Sequence, residues 1–173
     1  MRLHPTLDRP SPAPHRFVHD RMLVVLEHAD RPARQARHLL AGQLEQLGLL
    51  PAEDCPARRR ADDALLVASE LVTNACRHTS GPTRLTSRWN PENHSFTVSV
   101  FDPSGQLPRR APEEERGAHG GYGMALVEVL CDRWSVTSRE ARGKAVSATV
   151  SFPAPPPARR AARGGRPGDR ADR

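Results

Sequence analysis

A chain of 173 residues is long enough for one domain with a real hydrophobic core and too short for two. Hydrophobic residues make up 37% and charged residues 27%, and no apolar run approaches the roughly 20 residues of a spanning helix, which excludes a transmembrane protein. The net charge of +6 raises the question of nucleic-acid binding, but its placement argues against it. Residues 153–173 carry six Arg against two Asp, and the stretch 21–152 is left nearly neutral, with basic and acidic side chains interleaved.

In chain order, residues 1–19 contain Pro5, Pro10, Pro12 and Pro14 without hydrophobic periodicity, and a disordered segment is expected. This start has no apolar region of about 7–15 residues, so it is not a secretory leader. Cys55, Cys76 and Cys131 are odd in number and lack paired spacing, which suits a reducing, cytoplasmic setting and argues against disulfides and zinc. Met22–Leu26 reads as a strand. Asp30 is the expected N-cap of a helix over about 31–47, with Pro32 in its first turn and Ala36, Leu39, Leu40, Gln43, Leu44 and Leu47 as one buried stripe. Gly48 fits the C′ position. After the turn-rich segment 51–56, a second helix is predicted from about Arg58 to His78, ending before Ser80-Gly81-Pro82.

Alternation at Leu85, Ser87 and Trp89, and again at Phe96, Val98 and Val100, predicts a β-hairpin turning at Asn90–Asn93. The stretch from Asp102 to Gly121 is rich in Pro, Gly, Arg and Glu and is too long for an ordinary connection. Met124, Val127, Leu130 and Cys131 then suggest a short helix. Trp134 and Val136, and Val146, Ala148, Val150 and Phe152, suggest two final strands around Ala141–Lys144, where Lys144 reads as a solvated turn residue. Residues 153–173 read as a disordered Pro/Arg-rich tail. The element order predicts an α+β two-layer sandwich over 20–152, a mixed, mostly antiparallel sheet with its helices on one face.

The chemistry concentrates on the second helix. Ala64, Ala68, Leu71, Val72 and Ala75 lie on one side, and Asp63, Glu70, Asn74 and Arg77 on the other. Such a face is ordinarily just solvated. Thr73 and Asn74, however, are poor helix formers in mid-helix. A carboxylate one turn before a carboxamide can hold a divalent cation through the Asn oxygen while the acid faces a water or a hydroxyl.

The run Glu70-Leu-Val-Thr-Asn74-Ala-Cys-Arg-His78 closely resembles the N-box of the GHKL (histidine kinase-like) ATPase superfamily, in the version found in bacterial anti-sigma-factor serine kinases. The resemblance continues in order with Asp102 after an apolar strand, a long loop, Gly121-Tyr-Gly123-Met124 at a helix start, Trp134, and Gly143-Lys144 near the end, covering roughly residues 20–152. It implies a Bergerat-type ATP-binding fold and the cofactors ATP and Mg²⁺. Asn74 would ligate the metal, and Glu70 would serve as general base or orient the attacking serine hydroxyl. His78 occupies the N-box His position, although a His at a helix end also caps carbonyls. Asp102 would read the adenine amino group, with Gly105 in the degenerate first glycine box, although an Asp there also suits a turn cap. Gly121, Gly123 and Met124 would bring backbone N–H groups to the phosphates at a helix N-terminus; a lone Gly-x-Gly is more often a simple turn. The loop 105–120, with Arg109, Arg110 and Arg116 beside Glu113, Glu114 and Glu115, would be the ATP lid.

One departure is visible. The family's first glycine box usually reads D-x-G-x-G, and here those glycine positions hold Ser104 and Gln106. The leading expectation is a serine protein kinase that phosphorylates an antagonist protein and regulates transcription through a sigma factor. The alternative is a catalytically weak nucleotide-binding interaction module of the same fold. A homodimer is a further possibility that the resemblance carries; a membrane contact is not expected, nor is direct nucleic-acid binding.

Overall fold

The computed structural model describes residues 15–18, 20–26, 29–78, 82, 84–104, 123–138 and 143–154. In chain order these form β1 (His15–Val18), β2 (Arg21–Val25), α1 (Pro32–Gln46), α2 (Pro56–His78), β3 (Arg84–Asn90), β4 (Ser95–Asp102), α3 (Gly123–Leu130), β5 (Arg133–Ser138) and β6 (Lys144–Ser151). The expected α+β sandwich is observed, with one refinement: every strand pairing is antiparallel, in the order β1-β2-β3-β4-β6-β5.

The period of two along each strand decides which side chains face the helices. Met22 and Val24, Leu85 and Ser87, Phe96, Val98 and Val100, and Val146, Ala148 and Val150 are all buried on that face. Against them pack Ala36, Leu40 and Leu44 of α1, Ala64, Leu65, Ala68, Leu71 and Val72 of α2, and Met124 and Val127 of α3. Fully burying side chains of this size contributes about 1.5–3 kcal/mol each, the main favourable term here. Gln43 of α1 is also buried, and its Oε1 accepts a hydrogen bond from the Ser87 hydroxyl. At the far end of the sheet, Trp89 meets Phe152 edge-on with ring centroids 5.6 Å apart.

Three expectations change. His15–Val18 pairs antiparallel with β2, a strand within the stretch expected to be disordered. The N-cap of α1 is Arg31 rather than Asp30, and it makes no side-chain cap bond. Pro32 follows it and has no N–H to satisfy, which lowers the demand for a cap. Lys144 is not a solvated turn residue: it opens β6 and is 6% exposed. Gly48 does adopt the left-handed conformation that closes α1, at φ 69°.

Candidate functional site

Two places on one side of the sheet collect the chemistry. The first lies between α2 and α3. Glu70 and Asn74 are one turn apart on α2 and both are half-buried, on the edge of the stripe that Ala68, Leu71 and Ala75 bury in the core. α3 packs alongside, and its first residue, Gly123, lies directly against the Glu70 carboxylate. A Cβ at Gly123 would come within 2.8 Å of Glu70 Oε2. A larger residue there would push the carboxylate away, and the carboxylate stands at a helix start, where first-turn N–H groups lack intrahelical partners. Met124 follows in α3 with its side chain buried in the core, so its backbone N–H is what it can offer a ligand.

α3 is anchored at its other end by Arg60, from the first turns of α2. The Arg60 guanidinium donates to Leu130 O at 3.1 Å, to Asp63 Oδ2 at 2.9 Å, to Asp132 Oδ2 at 2.9 Å and to Ser151 O at 2.8 Å. Only the planar five-donor fork of arginine serves so many acceptors at once. Burial pushes the Asp132 carboxyl up, but its bonds from Ser151 and the nearby Arg60 outweigh this and hold it below the ordinary range. This clamp ties α2 to the end of α3 and to β6.

The second place is the end of the central strands. Phe96, Val98, Val100 and Asp102 share one face of β4, so the alternation that builds the core also carries the Asp102 carboxylate into it, 4% exposed. Directly opposite in the β4–β6 register stands Lys144. Its Nζ lies 2.9 Å from both Asp102 carboxylate oxygens, and Oδ1 also accepts the Ser104 N–H at 2.9 Å. The ammonium further approaches Ser104 O at 3.3 Å and Ser104 Oγ at 3.4 Å. Gly143, just before Lys144, has φ 85°, and a Cβ there would sit 2.1 Å from Asp102 O and 2.7 Å from Pro103 Cα. No other residue fits that position.

Of the residues singled out from the sequence, Glu70 and Gly123 are thus brought together, and Asn74 sits one turn along from Glu70. Asp102 is at the strand end, as expected, but already paired. His78 is the last residue of α2. Gly105, Gly121 and the loop bearing Arg109, Arg110 and Arg116 lie outside the described residues, as does the tail 155–173. Sequence reasoning missed Lys144 and Arg60. Lys144 did carry a signal: it is the only lysine in the chain, and it precedes an apolar strand. Among the described residues no cluster of three His, Cys, Asp or Glu forms a ready-made metal site. The oxygen donors of Asn74 and Glu70 are of the hard type that suits Mg²⁺, which is commonly held by one or two protein groups plus substrate phosphates.

An α+β sandwich with a carboxylate–carboxamide helix face beside a glycine-started helix, and an acid at the end of a central strand, is the arrangement expected from the resemblance to an ATPase-type domain. The model for the histidine kinase-like ATPase domain matches residues 27–150, more than half of the chain, and the protein belongs to that family. Among solved structures it is similar to the RsbU and RsbW domains of the Mycobacterium tuberculosis protein Rv1364c, with 19% identity and a TM-score of 0.55. The similarity covers 76% of this chain and 32% of that one, so this chain matches about a third of that chain's length. No curated protein matches. Among the described residues no helix is long and apolar enough to cross a membrane.

Proposed function

We propose that this protein is an ATP- and Mg²⁺-dependent serine kinase of the anti-sigma type, transferring the γ-phosphoryl group of ATP to a serine of a partner antagonist protein. The observation that supports the reading is the closeness of the Glu70 carboxylate to Gly123, at the start of the helix that would bind the phosphates. In the transfer, the serine Oγ–phosphorus bond forms as the bond from phosphorus to the β–γ bridging oxygen breaks, and ADP leaves. The serine proton passes to Glu70, or Glu70 orients the hydroxyl. Asn74 would hold Mg²⁺, which supplies charge neutralisation on the phosphates. Gly121, Gly123 and the Met124 N–H would meet the phosphates, His78 would support the same face, and Asp102 with Gly105 would frame the base. An arginine of the 105–120 loop would offset charge on the transferred group. The RsbW domain named in the structural neighbour, together with the N-box, supports a sigma factor or its antagonist as partner.

Calorimetric titration of ATP with and without Mg²⁺ into the wild type and Asn74→Ala tests the site. Mg²⁺-dependent binding that Asn74→Ala loses is expected, and full phosphotransfer by Glu70→Gln would exclude the base role. A second reading is favoured by a specific observation: the Asp102 carboxylate is already engaged by Lys144 and Ser104. On that reading the protein binds nucleotide weakly and acts as an interaction module; ATP-dependent partner binding without a labelled product would distinguish it.

A further inference from the structure

The Asp102–Lys144 pair asks for a reason beyond stability. Both side chains are nearly excluded from solvent, at 3% and 6% exposure. An isolated buried ion pair is a poor stabiliser, because desolvation of the two ions offsets most of their attraction. Phe96, Val98, Val100 and Val146, Ala148 and Val150 occupy the same faces of the same two strands, so an apolar pair would continue the pattern. The chain instead spends its only lysine there, among 26 basic residues. A lysine supplies a compact ammonium with three donors, where an arginine would supply a wide planar fork.

The pair keeps some hydrogen-bonding capacity in reserve. A carboxylate offers about four acceptor sites. Among the described residues Oδ1 takes Lys144 and the Ser104 N–H, and Oδ2 takes Lys144, which leaves one site on Oδ2. Of the three ammonium protons, those directed at Ser104 O and Ser104 Oγ span 3.3 and 3.4 Å, longer than a good N–H···O bond and replaceable by a better acceptor. The pair therefore presents an acceptor and a donor side by side. Gly143, whose missing side chain lets the turn close on Asp102 and Pro103, holds Lys144 in that position.

We propose that Lys144 is a base-reading residue, donating to the N1 ring nitrogen of adenine while Asp102 accepts from the adjacent N6 amino group. The inference rests on the ATP-binding reading of this site and adds a specificity-determining residue to it. Adenine places an acceptor next to an amino donor on one edge, which matches the pair without a bridging water.

The test compares binding of ATP with that of 1-deaza-ATP, in which N1 is a C–H, in the full-length wild type and in Lys144→Met, with GTP as a third ligand. Losing one bond to a charged donor is expected to weaken 1-deaza-ATP at least about tenfold against ATP in the wild type. In Lys144→Met the two should agree within about twofold. A wild-type ratio near one overturns the proposal, and this arm stands even where the variant fails to fold. An unchanged ratio in folded Lys144→Met overturns it too, as does GTP binding as tightly as ATP. In those cases ATP still binds, and the nucleotide site survives. Failure of folded wild type to bind ATP at all removes both readings together.

Discussion

Replacing Lys144 by Met leaves the Asp102 carboxylate buried with the Ser104 N–H as its remaining close donor. At 3% side-chain exposure water cannot make up the loss, and breaking one partner of such a pair costs about 3–5 kcal/mol. For a domain of this size, roughly 3 °C per kcal/mol converts that to a melting temperature lower by about 10–15 °C. The double substitution Asp102→Leu with Lys144→Met removes both charges and fills the space with apolar groups, so it should recover most of the loss. A double-mutant cycle by urea denaturation and calorimetry would then give a coupling of several kcal/mol rather than additive costs. A Lys144→Met cost below about 1 kcal/mol, or additivity within about 0.5 kcal/mol, would refute the premise that the pair is desolvated and coupled.

Other consequences are equally direct. Gly143→Ala places a Cβ 2.1 Å from a backbone oxygen at a left-handed φ, and should cost about 2–5 kcal/mol or prevent folding, read by circular dichroism and thermal melting. Gly123→Ala forces the end of a flexible side chain, Glu70 Oε2, to retreat from 2.8 Å to at least ordinary contact. The fold should survive, with phosphotransfer to a cognate partner falling by about tenfold; an unchanged rate would separate Gly123 from the chemistry. Because Asp132 titrates below its ordinary range in the folded protein, its stabilisation is complete above the unfolded value near 4 and is lost as pH falls through the lower folded value. Asp132→Asn should therefore flatten the acid limb of a melting-temperature profile below about pH 4 while leaving the slope near neutrality unchanged. Gln43 Nε2 is buried without a hydrogen-bond partner among the described residues, so Gln43→Leu combined with Ser87→Ala should be neutral or stabilising in denaturant titrations, whereas Ser87→Ala alone should destabilise by about 1–3 kcal/mol.

What the sequence disclosed follows from which interactions are local. The stripe of α1, the polar face of α2 and the alternation of β3 and β4 are written at spacings of two to four residues, and each is found where periodicity puts it. β1 escaped because His-Arg-Phe-Val has no clear alternation and joins the sheet through ladder bonds to β2, which any sequence can make. Lys144 escaped for a different reason. Its partner lies 42 residues away, and only the register that sets Asp102 opposite Lys144 brings them together. Read locally, a Gly-Lys after an Arg is a turn; set beside β4, it is the start of a buried strand. Arg60 is a similar case, since its acceptors come from residues 63, 130, 132 and 151.

These misses bear on the site more than on the fold, and the reason is physical. A carboxylate at a helix start keeps its position only if something holds the two helices, and the residues that do so need share no pattern with it. Here Arg60 ties the far end of α3 to α2, and Gly123 at the near end lies beside Glu70. Asp102 is governed by the same logic: the closeness permitted by Gly143 sets where Lys144 can stand, and Lys144 sets how much of the carboxylate is left for a ligand. On the base-reading proposal, Ser104→Gly should not raise ATP affinity, because the hydroxyl it removes lies 3.4 Å from the Lys144 ammonium and helps to hold it. Calorimetric titration of ATP into Ser104→Gly checks this, and tighter binding by the variant would refute it.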